Sequence, residues 1–532
     1  MSANLRKKMA RFLSAICLVF LSLTNHAADL HIGYKTEVTS ADPHVLFGNN
    51  RNIWGHVYET LVFQNATLQA TPGLATGWRS IDAHTWAFDI RPNVRFHNGA
   101  LLSAEDVKYS LERAMQLKGA RTFRNYLKDI SAVTVSGPLR IEIKTVRPAP
   151  TLPDNIGLIA IMLRSNKPLS EEDFASGKSA TGTGPYKFRE WKHGQQISFE
   201  KNTDYWGAHE PWTQVTFHFL PKDAARAAAL LSGSVDLIDS ASSTMAGIFK
   251  NTDKIDTTST TSYMLQYLRL DLTRDDSPYI KSADQHVLKK NPLLDQRVRQ
   301  AMCLAIDRPG LVKMIMKGDA EAASQLVPEK FFGFNGSLTV PAHDTTTARA
   351  LLRAAGYPRG FQISLHCSND RYLNDAKLCE AIGQLLTQIG IKTEVRTLPF
   401  AVFATRSING GTGGTPEFSL SMIGQGAVTG DALPSLTTLA HSMDRARGYG
   451  ANNITGYSNN ELDELIEQAS LTMDNDQRAA TVQRAARLLY DDVGVIPLLF
   501  PKSIWAYKKE LHFTPRSDGF TYAMNVRVSE KK

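Results

Sequence analysis

Cysteine is scarce, with four residues in a chain of 532. That density excludes a disulfide-dense scaffold and arrays of structural zinc sites. Long apolar runs are absent after Leu23, which excludes a polytopic membrane protein. Charge of one sign is nowhere concentrated. The formal net charge is +8, but Arg6, Lys7, Lys8 and Arg11 lie in an amino-terminal stretch that holds no acid. Without them the excess halves and spreads along the chain. No basic stripe with interleaved aromatics remains, so no nucleic-acid partner is expected. No internal repeat and no low-complexity segment occurs.

Catalytic patterns are missing too. His209-Glu210 is followed by Pro211-Trp212, so it does not open an H-E-x-x-H zinc site. There is no Walker loop and no G-x-S-x-G elbow. Ser198-Phe199-Glu200-Lys201 has the S-x-x-K spacing, but that chemistry needs the serine at a helix start, and this segment alternates as a strand. The 14 histidines are scattered, without the close pairs of a metal cage. Glu171-Glu172-Asp173 reads as a solvated helix start. A large chain with this profile is expected to bind rather than to catalyse, with no catalytic residue, no metal and no cofactor.

The amino terminus has the order of an export signal. Arg6 to Arg11 is basic, Phe12 to Leu23 is apolar, and Thr24 to Ala28 is polar and small. Residues 1–28 are therefore expected to be a signal peptide, cleaved near Ala27 or Ala28, which places the mature protein in the periplasm. Cys17 leaves with the signal. In an oxidising compartment Cys367 and Cys379 are expected to form a disulfide. Cys367 ends the strand-like run from Phe361, and Cys379 lies in a helix-like run beginning near Asn374. Closing that short loop adds about 3 kcal/mol on the chain-entropy account. Cys303 is left as a buried helix thiol.

Helix and strand signals alternate irregularly, which predicts mixed α/β architecture. Ser103 to Asp106 resembles a capping box, and Val107, Leu111, Ala114 and Met115 follow at helical spacing. Leu385 and Ile389, with Gly390 behind them, mark another helix end. The runs Leu462 to Ala469 and Val482 to Leu489 mark two more. Trp86–Ile90, Ile197–Glu200 and Val215–Phe219 read as strands. Asn409 to Gly414 reads as a loop.

Several segments are collinear with one family. Tyr58-Glu59-Thr60-Leu61-Val62 after Asp42-Pro43-His44 resembles the opening of extracellular solute-binding proteins of family 5, the dipeptide- and oligopeptide-binding components of ABC importers. Phe96-His97-Asn98-Gly99 with Ala104 to Arg113 is similar to that family's most specific stretch. Thr183-Gly184-Pro185-Tyr186, Asn202 to Trp206, Arg297 to Ala301 with Ala305 to Arg308, Gly356-Tyr357-Pro358 and Tyr457-Ser458-Asn459 follow in order. These residues read as scaffold.

The resemblance implies an α/β fold of the periplasmic-binding-protein type, in its large three-domain form. Two lobes enclose a ligand cleft and close by a hinge motion. Lobe I is expected from residues 29–58, 178–262 and 498–532, with a subsidiary domain, 59–177, inserted in it. Lobe II is expected from 263–497, with crossings near Ser262-Tyr263-Met264 and Pro497. The resemblance also implies a monomer that captures a peptide or peptide-like molecule and delivers it to an inner-membrane ABC permease. Other expectations within reach are an exported peptide-binding chaperone, or a binder of an opine, sugar, haem or metal chelate.

By family position the expected ligand-binding residues are Thr39, Ser40, Asn49, Arg51, Tyr263, Gln266, Gln425, Val428, Thr429 and Asp431. Peptide binders of the family carry a G-W-x-x-D-Y-x-D/E-P run whose first aspartate pairs with the peptide ammonium. Here the run is Gly424 to Ala432. Gln425 stands at the tryptophan position and Val428 at the aspartate position, and only Asp431 remains as an acid. Asp431 is expected either to take over that role or to cap the segment after Gly430.

Overall fold

Leu30, Ile32 and Tyr34 are buried on the first strand, Ala28–Tyr34. It runs parallel to Trp212–Phe219 and to Leu237–Ile238, whose apolar residues are buried with it. A computed structural model describes residues 28–46, 48–119, 122–177, 179–208, 210–249 and 252–529. The expected export signal up to Ala27, Cys17 and His209 lie outside the described residues.

Two sheets join through one shared strand into a 13-stranded network, and a four-stranded sheet stands apart. The first sheet continues from Trp212–Phe219 into the antiparallel strands Gln196–Lys201 and Tyr186–Lys192. Ser198 and Lys201 therefore lie on a strand, as their alternation predicts. The second sheet orders Ile280–Ser282, Phe361–Ser368, Leu420–Gly426 and Met264–Leu270. A separate four-stranded antiparallel sheet, Ala75–Asp82, Thr85–Ile90, Arg140–Thr145 and Ile130–Gly137, lies in the insert. Helix Ala104–Gln116 packs there through Val107, Leu111 and Ala114, with Met115 partly buried. The capping box at its start is formed, with Ser103 N–H donating to Asp106 Oδ2 at 2.9 Å.

The chain crosses between the first two sheets twice. One crossing is the step from strand Ile255–Thr261 to strand Met264–Leu270, through Ser262 and Tyr263. The other lies inside the single strand Ile496–Lys508. Its residues up to Pro501 pair with Met264–Leu270 and Ala320–Ala322, and those from Lys502 pair with Ile255–Thr261. The pairing partners of this strand change between Pro501 and Lys502. Pro497 does not break the strand, because a proline is tolerated where no ladder N–H is needed. The insert's core runs from Leu61 to Ile161, whereas Met162, Phe174 and Ala180 pack into the first lobe.

Cys367 and Cys379 are bonded, tying strand Phe361–Ser368 to helix Asp375–Gln388, and Cys303 is a buried free thiol. The sequence motifs meet at the joint between the first lobe and the insert. Glu59 accepts from Thr183 Oγ1 at 2.8 Å, Tyr205 Oη at 2.9 Å and Trp206 Nε1 at 2.9 Å. His97 N–H donates to Gly182 O, and Asn202 Nδ2 to Gly184 O. A Cβ at Gly182 would fall 1.9 Å from the Val57 carbonyl, so only glycine permits this approach. The motifs fix where the insert sits against the first sheet.

Candidate functional site

The expected ligand residues lie on both sides of the strand crossing at Ser262-Tyr263. On the first lobe, helix Gly48–Trp54 carries Arg51. Its lead-in is held by Thr39 N–H donating to Asn50 Oδ1 at 2.9 Å and by Trp54 Nε1 donating to the Ser40 carbonyl at 3.0 Å. Thr39 is exposed, Ser40 is buried and Asn49 is half-buried. Arg51 donates to Gln64 Oε1 at 3.2 Å, and Gln64 Nε2 donates to the Val428 carbonyl at 2.9 Å. That chain of contacts joins the first lobe, the insert and the second lobe.

On the second lobe, glycines seat two tyrosines. A Cβ at Gly426 would fall 2.3 Å from the Tyr263 ring, and one at Gly424 would fall 2.8 Å from the Tyr372 ring. Tyr372 Oη also accepts from Gly424 N–H at 2.9 Å. Gln425 Oε1 accepts from Asn452 Nδ2 at 3.1 Å. The Tyr263 phenol lies within electrostatic reach of Asp518, Arg51, Tyr126 and Arg371, and burial raises its pKa. A cavity of about 250 Å³ opens beside Arg51, with Glu59, Gln64, Tyr205, Arg516 and Tyr522 in its wall.

Arg51 reaches the Val428 carbonyl through Gln64, and Tyr263 packs on Gly426. Gln266 and Thr429 are buried, and neither Gln266 amide atom nor Thr429 Oγ1 has a hydrogen-bond partner among the described residues. Val428 packs against the apolar core of the insert. Asp431 is buried, caps helix Ala432–Leu439 through Leu433 N–H at 2.8 Å, and pairs with Arg478 at 2.5 Å. Its charge is answered inside its own lobe. Arg371, Tyr372, Gln64 and Tyr126 were not expected. They sit in loops or short segments without periodicity, and only the tertiary fold assembles them.

The insert touches the second lobe at two more places. Lys128 Nζ donates to the carbonyls of Arg447 and Gly448 at 3.4 Å, and Arg147 Nη1 donates to Tyr449 Oη at 3.1 Å. On helix Leu152–Ile156 of the insert, burial and the nearby Asp431 push the Asp154 carboxyl up to about 7, partly offset by Arg478. Among the described residues no cluster of His, Cys, Asp or Glu is placed to hold a metal ion. No helix of the described residues is long and apolar enough to cross a membrane. A larger cavity, about 500 Å³, lies within the second lobe beside Cys303, Arg308 and Tyr490, away from the cleft.

Comparison with known proteins gives a consistent result. The family described as bacterial extracellular solute-binding proteins, family 5, middle, matches residues 69–446. A glutathione-binding protein GsiB of Shigella dysenteriae is 26% identical over 435 residues, covering 81% of this chain and 80% of that protein. The GsiB of Salmonella paratyphi A is 25% identical over 490 residues, covering 91% of each. Among solved structures, HbpA2 of Haemophilus parasuis superimposes with a TM-score of 0.79 at 22% identity, covering 94% of this chain and 100% of that one. DppA of Helicobacter pylori, in complex with the peptide STSA, gives 0.73 at 23% identity, covering 94% and 98%.

Proposed function

Because the chain belongs to the bacterial extracellular solute-binding proteins of family 5, we propose that it is the periplasmic receptor of an ABC importer for a peptide-like small molecule. The observation that carries this reading is the Arg51–Gln64–Val428 chain of contacts across a cleft whose two halves are joined by two strand crossings. The ligand is enclosed between the lobes without being altered, and the closed form docks on a membrane permease. The curated relatives named for glutathione binding support a peptide-like ligand.

Two measurements on the mature protein test this. Mass spectrometry of protein purified without denaturation is expected to show one bound small molecule, recovered unchanged after release. X-ray scattering is expected to give a smaller radius of gyration with that molecule than without it, since closing two lobes compacts the protein. A ligand that is chemically converted, or a radius indifferent to saturation, would overturn the reading.

Closure should also take up a proton. With the lobes apart, Asp154 is expected to regain water and lose the influence of Asp431, so that the upward push on its carboxyl is relieved. Closed, it is held at about 7 against Asp431 and Arg478. A carboxyl whose pKa is raised in the closed state disfavours closure increasingly as pH rises from about 4 to about 7, and by a constant amount above that. Binding of the co-purified ligand is therefore expected to be about tenfold or more tighter at pH 5.5 than at pH 8. Asp154→Asn should flatten that difference. Parallel pH profiles for wild type and variant would show that Asp154 does not report closure.

A further inference from the structure

One apolar side chain of the insert is buried outside the insert's own core. The hairpin of strands Val62–Gln64 and Ala70–Pro72 is joined by a turn over residues 65–69. Asn65 builds that turn, its Oδ1 accepting from Thr67 N–H at 2.9 Å and from Gln69 N–H at 3.0 Å. Leu68 is the turn's one large apolar residue, and it is 1% exposed. It packs in the cluster of Leu265, Tyr267, Phe331, Leu433 and Leu436, whose other buried members all lie from Leu265 to Phe500. Leu68 also holds a φ of +61°, a left-handed backbone that few residues other than glycine adopt. Such a conformation persists where its surroundings hold it.

The seat for this turn is a glycine. A Cβ at Gly430 would fall 2.5 Å from the Leu68 carbonyl oxygen, so backbone lies against backbone there. Gly430 is fixed in the second lobe, its carbonyl accepting from Phe332 N–H at 2.9 Å. The contact is reciprocal. Val428, two residues earlier, packs against the insert's apolar core, and its carbonyl accepts from Gln64 Nε2 at 2.9 Å. The hairpin itself is tied to the other side of the strand crossing. The Ala66 carbonyl accepts from Ser517 N–H at 2.9 Å, and Glu59 binds the insert's base to Thr183, Tyr205 and Trp206. The hairpin is therefore anchored on the first lobe while the Leu68 side chain is housed in the second.

We propose that this turn is a clasp for the closed form, with Leu68 as its catch and Gly430 as its seat. The proposal rests on the reading that the two lobes part and close around a small molecule. Parting them draws Leu68 out of the second lobe's core into water, and closing returns it. The exchange is one of apolar surface, so it favours closure without a contact to the enclosed molecule. The clasp therefore slows the release of whatever closure has captured and does not select it. Burying one leucine side chain favours the closed form by about 10- to 100-fold.

Leu68→Ala, Leu68→Met and Leu68→Asp test the clasp. Native mass spectrometry follows the loss of the co-purified small molecule after dilution. Leu68→Ala is expected to release it about 10- to 100-fold faster than wild type. Leu68→Met keeps the apolar volume and should stay within about threefold of wild type. Leu68→Asp would bury a charge on closing. X-ray scattering should therefore show no compaction of that variant at a concentration of the molecule that compacts wild type. Stripped of the molecule, all three variants should melt with wild type, because Leu68 is then in water. A lowered melting temperature of stripped Leu68→Ala would make Leu68 a permanent core residue and overturn the clasp. A wild-type release rate in Leu68→Ala, or compaction of Leu68→Asp, would also overturn it. In each of these cases a wild type that compacts leaves the receptor reading standing. A wild type that carries no molecule and does not compact would overturn both.

Discussion

Replacing Asp431 by alanine is expected to lower the unfolding free energy by about 3–5 kcal/mol, the cost of breaking a buried ion pair from one side. Asp431 and Arg478 are both almost fully buried, with side-chain exposures of 3% and 4%. Asp431 does two things at once. One oxygen caps helix Ala432–Leu439, worth about 1 kcal/mol, and the other neutralises Arg478. In its absence Arg478 keeps Asn475 as a hydrogen-bond partner and the face of Phe332, 3.8 Å from the guanidinium carbon, but no carboxylate in its own lobe. Chemical denaturation of ligand-free protein measures the loss. The double variant Asp431→Leu with Arg478→Met should recover most of it, because removing both charges leaves none unpaired. A ligand-pairing Asp431 would behave in the opposite way. Stability would survive the alanine substitution and affinity alone would collapse.

Asp431 also illustrates what a linear sequence can carry. Its capping role was legible, since an aspartate after Gly430 and before an apolar run is a local pattern. Its partner was not. Arg478 is 47 residues on, in helix Asn475–Asp492, where periodicity marks the buried face of Val482, Ala485 and Leu489 but does not say which buried arginine meets which acid. The same divide runs through the rest of the molecule. Helix Ala104–Gln116, the strand character of Ser198 to Lys201 and the helix start at Asn374 rest on contacts within a few residues, and the sequence shows them. The Gln64–Val428 contact spans 364 residues. Arg371 and Tyr372 lie in a loop with no period to reveal them. The departure at Val428 was visible, but its apolar packing against the insert depends on how two bodies meet.

Replacing Glu59 by alanine is expected to destabilise the protein by about 2–4 kcal/mol, and replacing it by glutamine by less than about 1 kcal/mol. The carboxylate receives three donors from two distant motifs: Thr183, and Tyr205 with Trp206. Alanine leaves all three without an acceptor in the protein. Each orphaned buried donor costs about 1–3 kcal/mol, less whatever water in the adjoining cavity of about 250 Å³ restores. Glutamine keeps an oxygen for Thr183 and for the indole N–H, which can only donate, and turns its amide nitrogen to Tyr205 Oη, which can accept. It thereby mimics the protonated acid. Burial pushes Glu59 up to about 7 even against those donors. With the folded pKa above the unfolded one, ionisation opposes folding from about pH 4.5 upward, increasingly to about pH 7 and by a constant amount beyond. Glu59→Gln should therefore flatten the stability profile across that window and equal or exceed wild type at pH 8, while Glu59→Ala falls below both at every pH. Denaturant unfolding from pH 5 to 8 on the three proteins makes the comparison. A glutamine variant as damaged as the alanine one would mean that the joint requires the charge itself, and that three donors outweigh burial at this carboxylate.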